Sequence, residues 1–314
     1  MSTAIPAQIV CTLYEGHYDC GVGSLINSLH RSGFAGTIYI GYRGAKPFWL
    51  GQCQAGADAD SFRIEPGIEL RLVPLTTDWH LANYKPQFMQ QVLRLAGSDP
   101  VQIYYFDPDI VVFCSWAFIR EWAQDAVALV TDINGPFPST HPLRLIWRRF
   151  FAGKDLPMNH RQLEVYINSG FIGLPSSCLR MLDEWIAFQD QAFAAIGSKD
   201  SYHNHDRTYI FHTPDQDMLN AALERCDCPI SVISADAMDF VPGGYVMSHA
   251  IGQPKPWRKK FILQALGGRP PTLPDKRFLA VMERPLRLFS PGMMAWKLIS
   301  ARVGAMIGRF LRRS

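Results

Sequence analysis

Short apolar, β-branched runs alternate with segments of helical periodicity through most of this chain, and that alternation limits the fold more than any other feature. Ala7–Tyr14 is apolar on nearly every position, as expected of a strand buried on both faces. After the polar turn Glu15–Asp19, Leu25, Ile26 and Leu29 recur at helical spacing. Gly33 and Gly36 then end that helix before a second run, Thr37–Tyr42. Further strands are predicted at Glu69–Pro74, Val101–Phe106, Ala128–Asp132 and Glu164–Leu174. Helices are predicted near 80–96, 143–151, 177–196 and 216–223. Strands and helices in this order predict an α/β fold: a mixed, mainly parallel sheet flanked by helices.

Of the 314 residues, 48% are hydrophobic and 12% aromatic, enough for a large core, which excludes a disordered chain. No apolar run reaches the roughly 18 uncharged residues of a membrane-spanning helix. Met1–Ile9 lacks the basic and apolar regions of a secretory signal. Seven cysteines without a C-x-x-C pair argue against a disulfide framework. Cys226 and Cys228 stand too close for an ordinary bridge and read as buried thiols in a reducing cytoplasm.

The net charge of +3 conceals a division. Residues 255–314 hold 14 of the 31 basic residues and 2 of the 28 acids, a net of +12. The rest of the chain, with 17 basic and 26 acidic residues, carries −9. The two parts are therefore expected to meet different partners. We expect a catalytic domain over 1–262, a Pro/Gly-rich linker over 263–290 and a basic amphipathic helix over 291–314. Within Pro291–Arg313, Trp296, Ile299, Val303, Met306, Ile307 and Phe310 share one helical face. Lys297, Arg302, Arg309, Arg312 and Arg313 lie mainly on the other, with Leu298 as an exception. Such a helix suits the anionic surface of an inner membrane, and the alternative is docking on the acidic body. Nothing in the chain reads as a nucleic-acid recognition module, so no nucleic-acid partner is expected.

Four motifs carry candidate chemistry. Asp107-Pro108-Asp109 follows the apolar strand Val101–Phe106, where two carboxylates enter the crevice at a strand's carboxyl end and suit Mg²⁺ or Mn²⁺. Asp58/Asp60 and Asp215/Asp217 share the D-x-D spacing but follow no such strand. His249 lies six residues before Lys255, with Gly252 between them; an imidazole ligand and a phosphate-binding ammonium are the chemistry on offer. Asn168 is the only amide in the apolar run Tyr166–Leu174, either a turn residue or a reader of ligand hydroxyls. Asp215-Gln216-Asp217 opens a helix, where first-turn acids also serve as capping charges.

In this order the four motifs resemble the retaining glycosyltransferases of the glycogenin and bacterial lipopolysaccharide glucosyl- and galactosyltransferase family, which have the GT-A fold. The resemblance covers most of residues 8–260 and rests on D-x-D, N-S-G-F, D-Q-D-x-L-N and H-x-x-G-x-x-K-P-W. It implies Asp107, Asp109 and His249 as ligands of Mn²⁺ or Mg²⁺. It implies Lys255, Lys85 and Gly252 beside the diphosphate of a UDP-sugar, with Thr12, Leu13, Tyr14 and Gly16 around its base and ribose. It implies Asn168 and Asp215 on the donor sugar's hydroxyls and Gln216 beside the anomeric carbon. The implied reaction moves glucose or galactose to a lipopolysaccharide, capsule or other glycan or glycolipid acceptor, on the cytoplasmic face of the membrane. Gln216 is a poor nucleophile because a neutral amide has little basicity, so front-face attack is the expected route to retention. Residues 134–163 and 198–212 depart from the family pattern, and acceptor choice is expected there. Asp132 is expected to line the cleft, and His203 and His205 to be solvated. The alternatives are a sugar-nucleotide nucleotidyltransferase, disfavoured because Gly21, Gly23 and Ser24 lack a nearby lysine, and a non-catalytic nucleotide-sugar or glycan binder.

Overall fold

A computed structural model describes residues 7–64, 66–97, 101–241 and 243–311. The chain begins with β1 (Ala7–Glu15), α1 (Asp19–Ser32), β2 (Gly36–Arg43), a hairpin of β3 (Gln54–Ala55) and β4 (Ser61–Ile64), and β5 (Ile68–Pro74). A 3-10 turn, Leu81–Tyr84, leads into α2 (Lys85–Ala96), followed by β6 (Val101–Phe106), β7 (Ile110–Val112), α3 (Trp116–Trp122) and β8 (Val127–Thr131). Next come α4 (Pro142–Ala152), β9 (Ile167–Leu174), α5 (Met181–Ile196), α6 (Pro214–Arg225) and β10 (Ile230–Ile233). The described chain ends with β11 (Met247–His249), α7 (Phe261–Leu266), α8 (Leu273–Val281) and α9 (Pro291–Leu311).

Among the described residues, nine strands form one sheet in the order β10-β8-β9-β6-β1-β2-β5-β4-β3, and β7 and β11 form a separate ribbon. β1 is parallel to β2 and β6, β2 to β5, and β8 to β10. β9 runs antiparallel between β6 and β8. The expected mixed, mainly parallel sheet is therefore present. Its central strand explains the uniform apolarity of the first run. Val10 and Tyr14 pack into the core on one face, while Ile9, Cys11 and Leu13 pack into the core on the other.

α1 buries Val22, Leu25, Ile26 and Leu29 completely and ends at Gly33, whose φ of +86° is the left-handed stop that glycine favours. Its first turn presses on the loop after β6. A β-carbon on Gly21 would lie 2.2 Å from the carbonyl oxygen of Pro108, so this glycine sets how closely the helix backs the Asp107–Asp109 turn.

The stretch 263–290, expected as a linker, is instead part of the body. Thr272 and Asp275 form a reciprocal capping box that starts α8 despite Pro274. The helix then buries Phe278, Leu279 and Val281 in the same core as α1 and β7. The Asn27 amide ties the segment down, donating to Val281 O and Leu286 O and accepting from Leu286 N–H. Prolines here shape helix starts rather than a free tether.

α9 is docked on the body by its small residues. A β-carbon on Gly304 would lie 2.9 Å from Phe261 O, and one on Gly308 would lie 2.3 Å from Cβ of Pro270. Lys297, expected on the outer basic face, is buried and donates to Trp257 O at 2.7 Å. Docking does not use the Trp-bearing stripe. Trp296, Ile299, Val303, Met306 and Phe310 remain exposed, Phe310 by 86%, and Ile307 is half-buried. Arg312 and Arg313, counted on the basic face, lie outside the described residues, as do Met1–Pro6. No described helix is long and apolar enough to cross a membrane.

Candidate active site

The carboxyl ends of β1 and β6 and the ribbon of β7 and β11 frame one polar cluster. Asp107 leaves β6 with its N–H donated to Gly170 O of β9 at 2.7 Å. β7 starts three residues later, and its Ile110 pairs with His249 of β11. That register brings distant residues together: His249 Nε2 lies 3.3 Å from Asp109 Oδ1 and 3.9 Å from Asp107 Oδ2. Lys255 follows a turn in which Gly252 adopts a φ of +82°; its ammonium donates to Asp109 Oδ2 and to Ala250 O. Gly252 is exposed at the tip of that turn.

Lys85, the first residue of α2, fills the other side. Its Nζ lies 3.1 Å from Asp107 Oδ1, 3.1 Å from Asp215 Oδ2 and 3.1 Å from both the carbonyl and hydroxyl oxygens of Ser169. Asp215 stands in the first turn of α6, where the helix dipole favours a negative charge. Gln216 Oε1 accepts from Ser169 N–H at 3.2 Å and from Asn168 Nδ2 at 3.3 Å. Asn168 also donates to Asp132 Oδ2 at 2.7 Å and accepts from Gly170 N–H. Asp107, Asp109, His249, Lys85, Lys255, Asn168, Asp215 and Gln216 thus form one connected network, to which Asp132 is joined through Asn168.

Burial opposes the charge on Lys85, yet Asp107 and Asp215 raise its pKa above the ordinary lysine value. Lys255 is raised in the same way against burial, chiefly by Asp109. Burial likewise opposes ionisation of Asp109, but His249 and Lys255 hold its carboxyl well below the usual carboxylate range. Two buried ammoniums thus face the site's carboxylates, Lys85 between Asp107 and Asp215 and Lys255 against Asp109.

The residues fit a divalent cation. Two carboxylates and an imidazole, with donor atoms within 4.8 Å of one another, are the oxygen and nitrogen set that Mn²⁺ or Mg²⁺ takes. Gly170 lets these side chains pack directly against its backbone: a β-carbon there would lie 2.7 Å from His249 Cε1 and 3.0 Å from Asp107 Oδ2. Asp215 Oδ1, buried and aimed into the same cluster, has no hydrogen-bond partner among the described residues.

The expected nucleotide wall is only partly presented. β1 pairs with β6 as far as Cys11 and Tyr105, so Thr12–Gly16 continue beside the Asp107 turn. Thr12 Oγ1 is buried without a partner, and Gly16 takes a φ of +55°. Leu13 and Tyr14, however, are core side chains, each 2% exposed, and the Tyr14 hydroxyl is spent on Ala45 O. Their side chains are committed to the two faces of the core.

Sequence reasoning missed Ser169, Gly170 and Tyr105, whose hydroxyl donates to Asp107 Oδ1 at 3.0 Å. It also missed the Tyr166–Asp217 hydrogen bond, where burial pushes the Asp217 carboxyl up to about 7. The N-S-G-F quartet was the available signal for the first two. Asp58 and Asp60 sit exposed on the β3–β4 hairpin, paired with Arg71 and Lys46. The His203 ring stands 4.2 Å from His212 and 6.2 Å from His205, outside any cluster of metal-binding geometry among the described residues.

Neither a protein-family model nor a curated protein matches this chain. Solved structures do. The bifunctional glycosyltransferase WbbM shares 16% identity over 96% of this chain with a TM-score of 0.51, and the chain spans about half, 53%, of its length. An active-site mutant of LgtC shares 11% identity over 92% of this chain and 99% of its own, also at 0.51. The apo glycosyltransferase GlyE of Streptococcus pneumoniae TIGR4 shares 15% identity over 95% of this chain and 64% of its own, again at 0.51. These likenesses establish a shared fold: the chain has the architecture of these glycosyltransferases, the GT-A arrangement expected from the sequence.

Proposed function

We propose that this protein is a metal-dependent, retaining glycosyltransferase that moves a hexose, glucose or galactose, from a UDP-sugar to a cell-surface glycan or lipid-linked acceptor of the lipopolysaccharide or capsule type. The observation that carries the proposal is the meeting of Asp107, Asp109 and His249 with Lys85 and Lys255 in one buried cluster. The glycosyltransferases that share the fold support the same reading.

Breaking a sugar–phosphate bond builds negative charge on the departing diphosphate. Asp107, Asp109 and His249 would hold Mn²⁺ or Mg²⁺, which supplies Lewis-acid stabilisation of that charge when bound. Lys255 and Lys85, already fixed and desolvated, add two positive charges that need no reorganisation during the reaction. Asn168 and Asp215 orient the sugar through its hydroxyls. Gln216, whose Oε1 is pinned by Ser169 N–H and Asn168, presents a polar but weakly basic atom. We therefore assign attack to the same face as the departing phosphate, whose oxygen takes the acceptor's proton.

The proposal includes the membrane. The stripe of Trp296, Ile299, Val303, Met306 and Phe310 faces outward beside Arg302 and Arg309, a pattern suited to the anionic cytoplasmic leaflet that would present a lipid-linked acceptor.

Thermal unfolding with nucleotides and nucleotide sugars, with and without Mn²⁺, tests the central claim. A ligand that binds only the native state raises the midpoint. We expect UDP to stabilise only when the metal is present, together with slow release of hexose from a UDP-sugar. Preference for a nucleoside triphosphate would favour a nucleotidyltransferase, and stabilisation without turnover a binding protein.

A further inference from the structure

A second cluster of ligand-type side chains lies outside this site, at the carboxyl end of α6. Cys226 caps that helix, and Cys228 follows two residues on. Arg161 donates through Nη2 to the carbonyl oxygens of both, pinning the backbone of the pair. The two thiols fall on the same side, with their Sγ atoms 2.9 Å apart, and both are buried. The carboxylate of Asp227 completes a group whose donor atoms lie within 4.8 Å of one another.

We infer that Cys226, Asp227 and Cys228 form a second cation site, distinct from the oxygen-rich one, for a thiophilic divalent ion such as Zn²⁺. Zn–S bonds of about 2.3 Å in a tetrahedron set the sulfurs about 3.8 Å apart. The thiols need to separate by only about 0.9 Å from their present spacing, within the reach of small side-chain rotations. An entry path exists: a cavity of about 570 Å³ is lined by His160, Arg180, Arg225, Cys226 and Asp227. Water can fill the remaining position through that cavity.

Burial pushes the Cys226 thiol up to about 11 and raises that of Cys228 as well, so a bound cation has to displace both protons. The last carbonyls of α6 carry the negative end of the helix dipole, which favours a cation at Cys226. Asp227 pairs with Arg180, but both are more than half exposed, so releasing that carboxylate costs little. Arg180 and Arg161 remain to offset the thiolates. Binding displaces one proton from each Sγ to solvent, so affinity must rise with pH. Ligand softness sorts the two sites, sulfur for Zn²⁺ and oxygen with imidazole for Mn²⁺ or Mg²⁺. A filled site would fasten the far end of the helix whose first turn carries Asp215 and Gln216.

Cobalt titration of the untagged, reduced full chain tests the site, because thiolate coordination produces a sulfur-to-cobalt charge-transfer band that carboxylate and imidazole do not. We expect the band to saturate at one ion per chain and to be bleached by Zn²⁺. It should persist in Asp109→Asn and vanish in Cys226→Ser/Cys228→Ser. No band in the wild type, or an equal band in a folded double variant, overturns the assignment. If the double variant does not fold, alkylation of the wild type decides, read peptide by peptide. Zn²⁺ should slow labelling of Cys226 and Cys228 at least 10-fold, and equal labelling with and without Zn²⁺ refutes the site.

Discussion

A β-carbon on Gly170 would stand 2.7 Å from Cε1 of His249, closer than real side chains approach. The same carbon would lie 2.8 Å from Asn168 Oδ1 and 3.0 Å from Asp107 Oδ2, so it would displace side chains on either side. Gly170→Ala should cost about 1–3 kcal/mol of stability through overpacking. It should weaken Mn²⁺-dependent stabilisation by UDP at least as much as the roughly 10–100-fold typical of disturbed outer-shell partners. Calorimetric titration of Mn²⁺ with UDP checks it; an unchanged affinity would show that the close approach at Gly170 does not shape the proposed metal site.

Lys85 holds two carboxylates that would otherwise repel each other. Lys85→Met should destabilise the metal-free protein by about 3–5 kcal/mol, the usual cost of leaving buried charge unpaired. Added Mn²⁺ should recover part of that loss by neutralising Asp107, a recovery the wild type does not need. Urea unfolding of both proteins with and without Mn²⁺ reads the difference.

Asp217 gives a dependence on pH with a definite sign. Its folded pKa, pushed up to about 7 by burial, lies above the unfolded carboxyl value of about 4, so the native state binds the extra proton between them. This group's stabilisation is complete below about pH 4 and is lost as pH rises through about 7. Asp217→Asn, neutral at every pH, should flatten the decline in stability between pH 4 and 7. Denaturation midpoints across that range decide, and an unaltered slope would show that Asp217 is not its source.

The outward stripe of α9 allows the proposed membrane contact to be tested apart from folding. Trp296, Ile299 and Phe310 are each more than half exposed, so replacing all three by Ser should change stability by no more than about 0.5 kcal/mol per site. Vesicle affinity should fall at least about 10-fold, since burying one large apolar side chain contributes about 1.5–3 kcal/mol. Co-sedimentation with anionic vesicles measures it. Removing the whole helix would be a poorer test, because it also uncovers Phe261 and Pro270.

Much of the sheet is legible in the sequence because β1 and β6 are apolar on both faces and α1 has both its periodic stripe and its Gly33 stop. The Asp107–Asp109 turn is legible for the same reason, as polar residues at the end of a buried strand. The direction of β9 is not, since an apolar run carries no sign of parallel or antiparallel pairing. Local periodicity also misleads at Lys297, which a helical wheel places with the arginines but which reaches back to Trp257 O. In 263–290 the prolines suggest a tether, whereas the Thr272–Asp275 box marks a helix start. Pairings such as Asp109 with Lys255 belong to tertiary structure alone, because no local pattern links positions so far apart.

The ribbon of β7 and β11 makes His249 a late arrival. A nascent chain released only as far as β10 has all the carboxylates of the candidate site, but neither the imidazole nor the second ammonium that steadies them. Until β11 closes on β7, such a chain cannot assemble the three-donor cluster at Asp107 and Asp109. The candidate site is therefore completed by the last strand in chain order and not by the sheet strands that bring its carboxylates together.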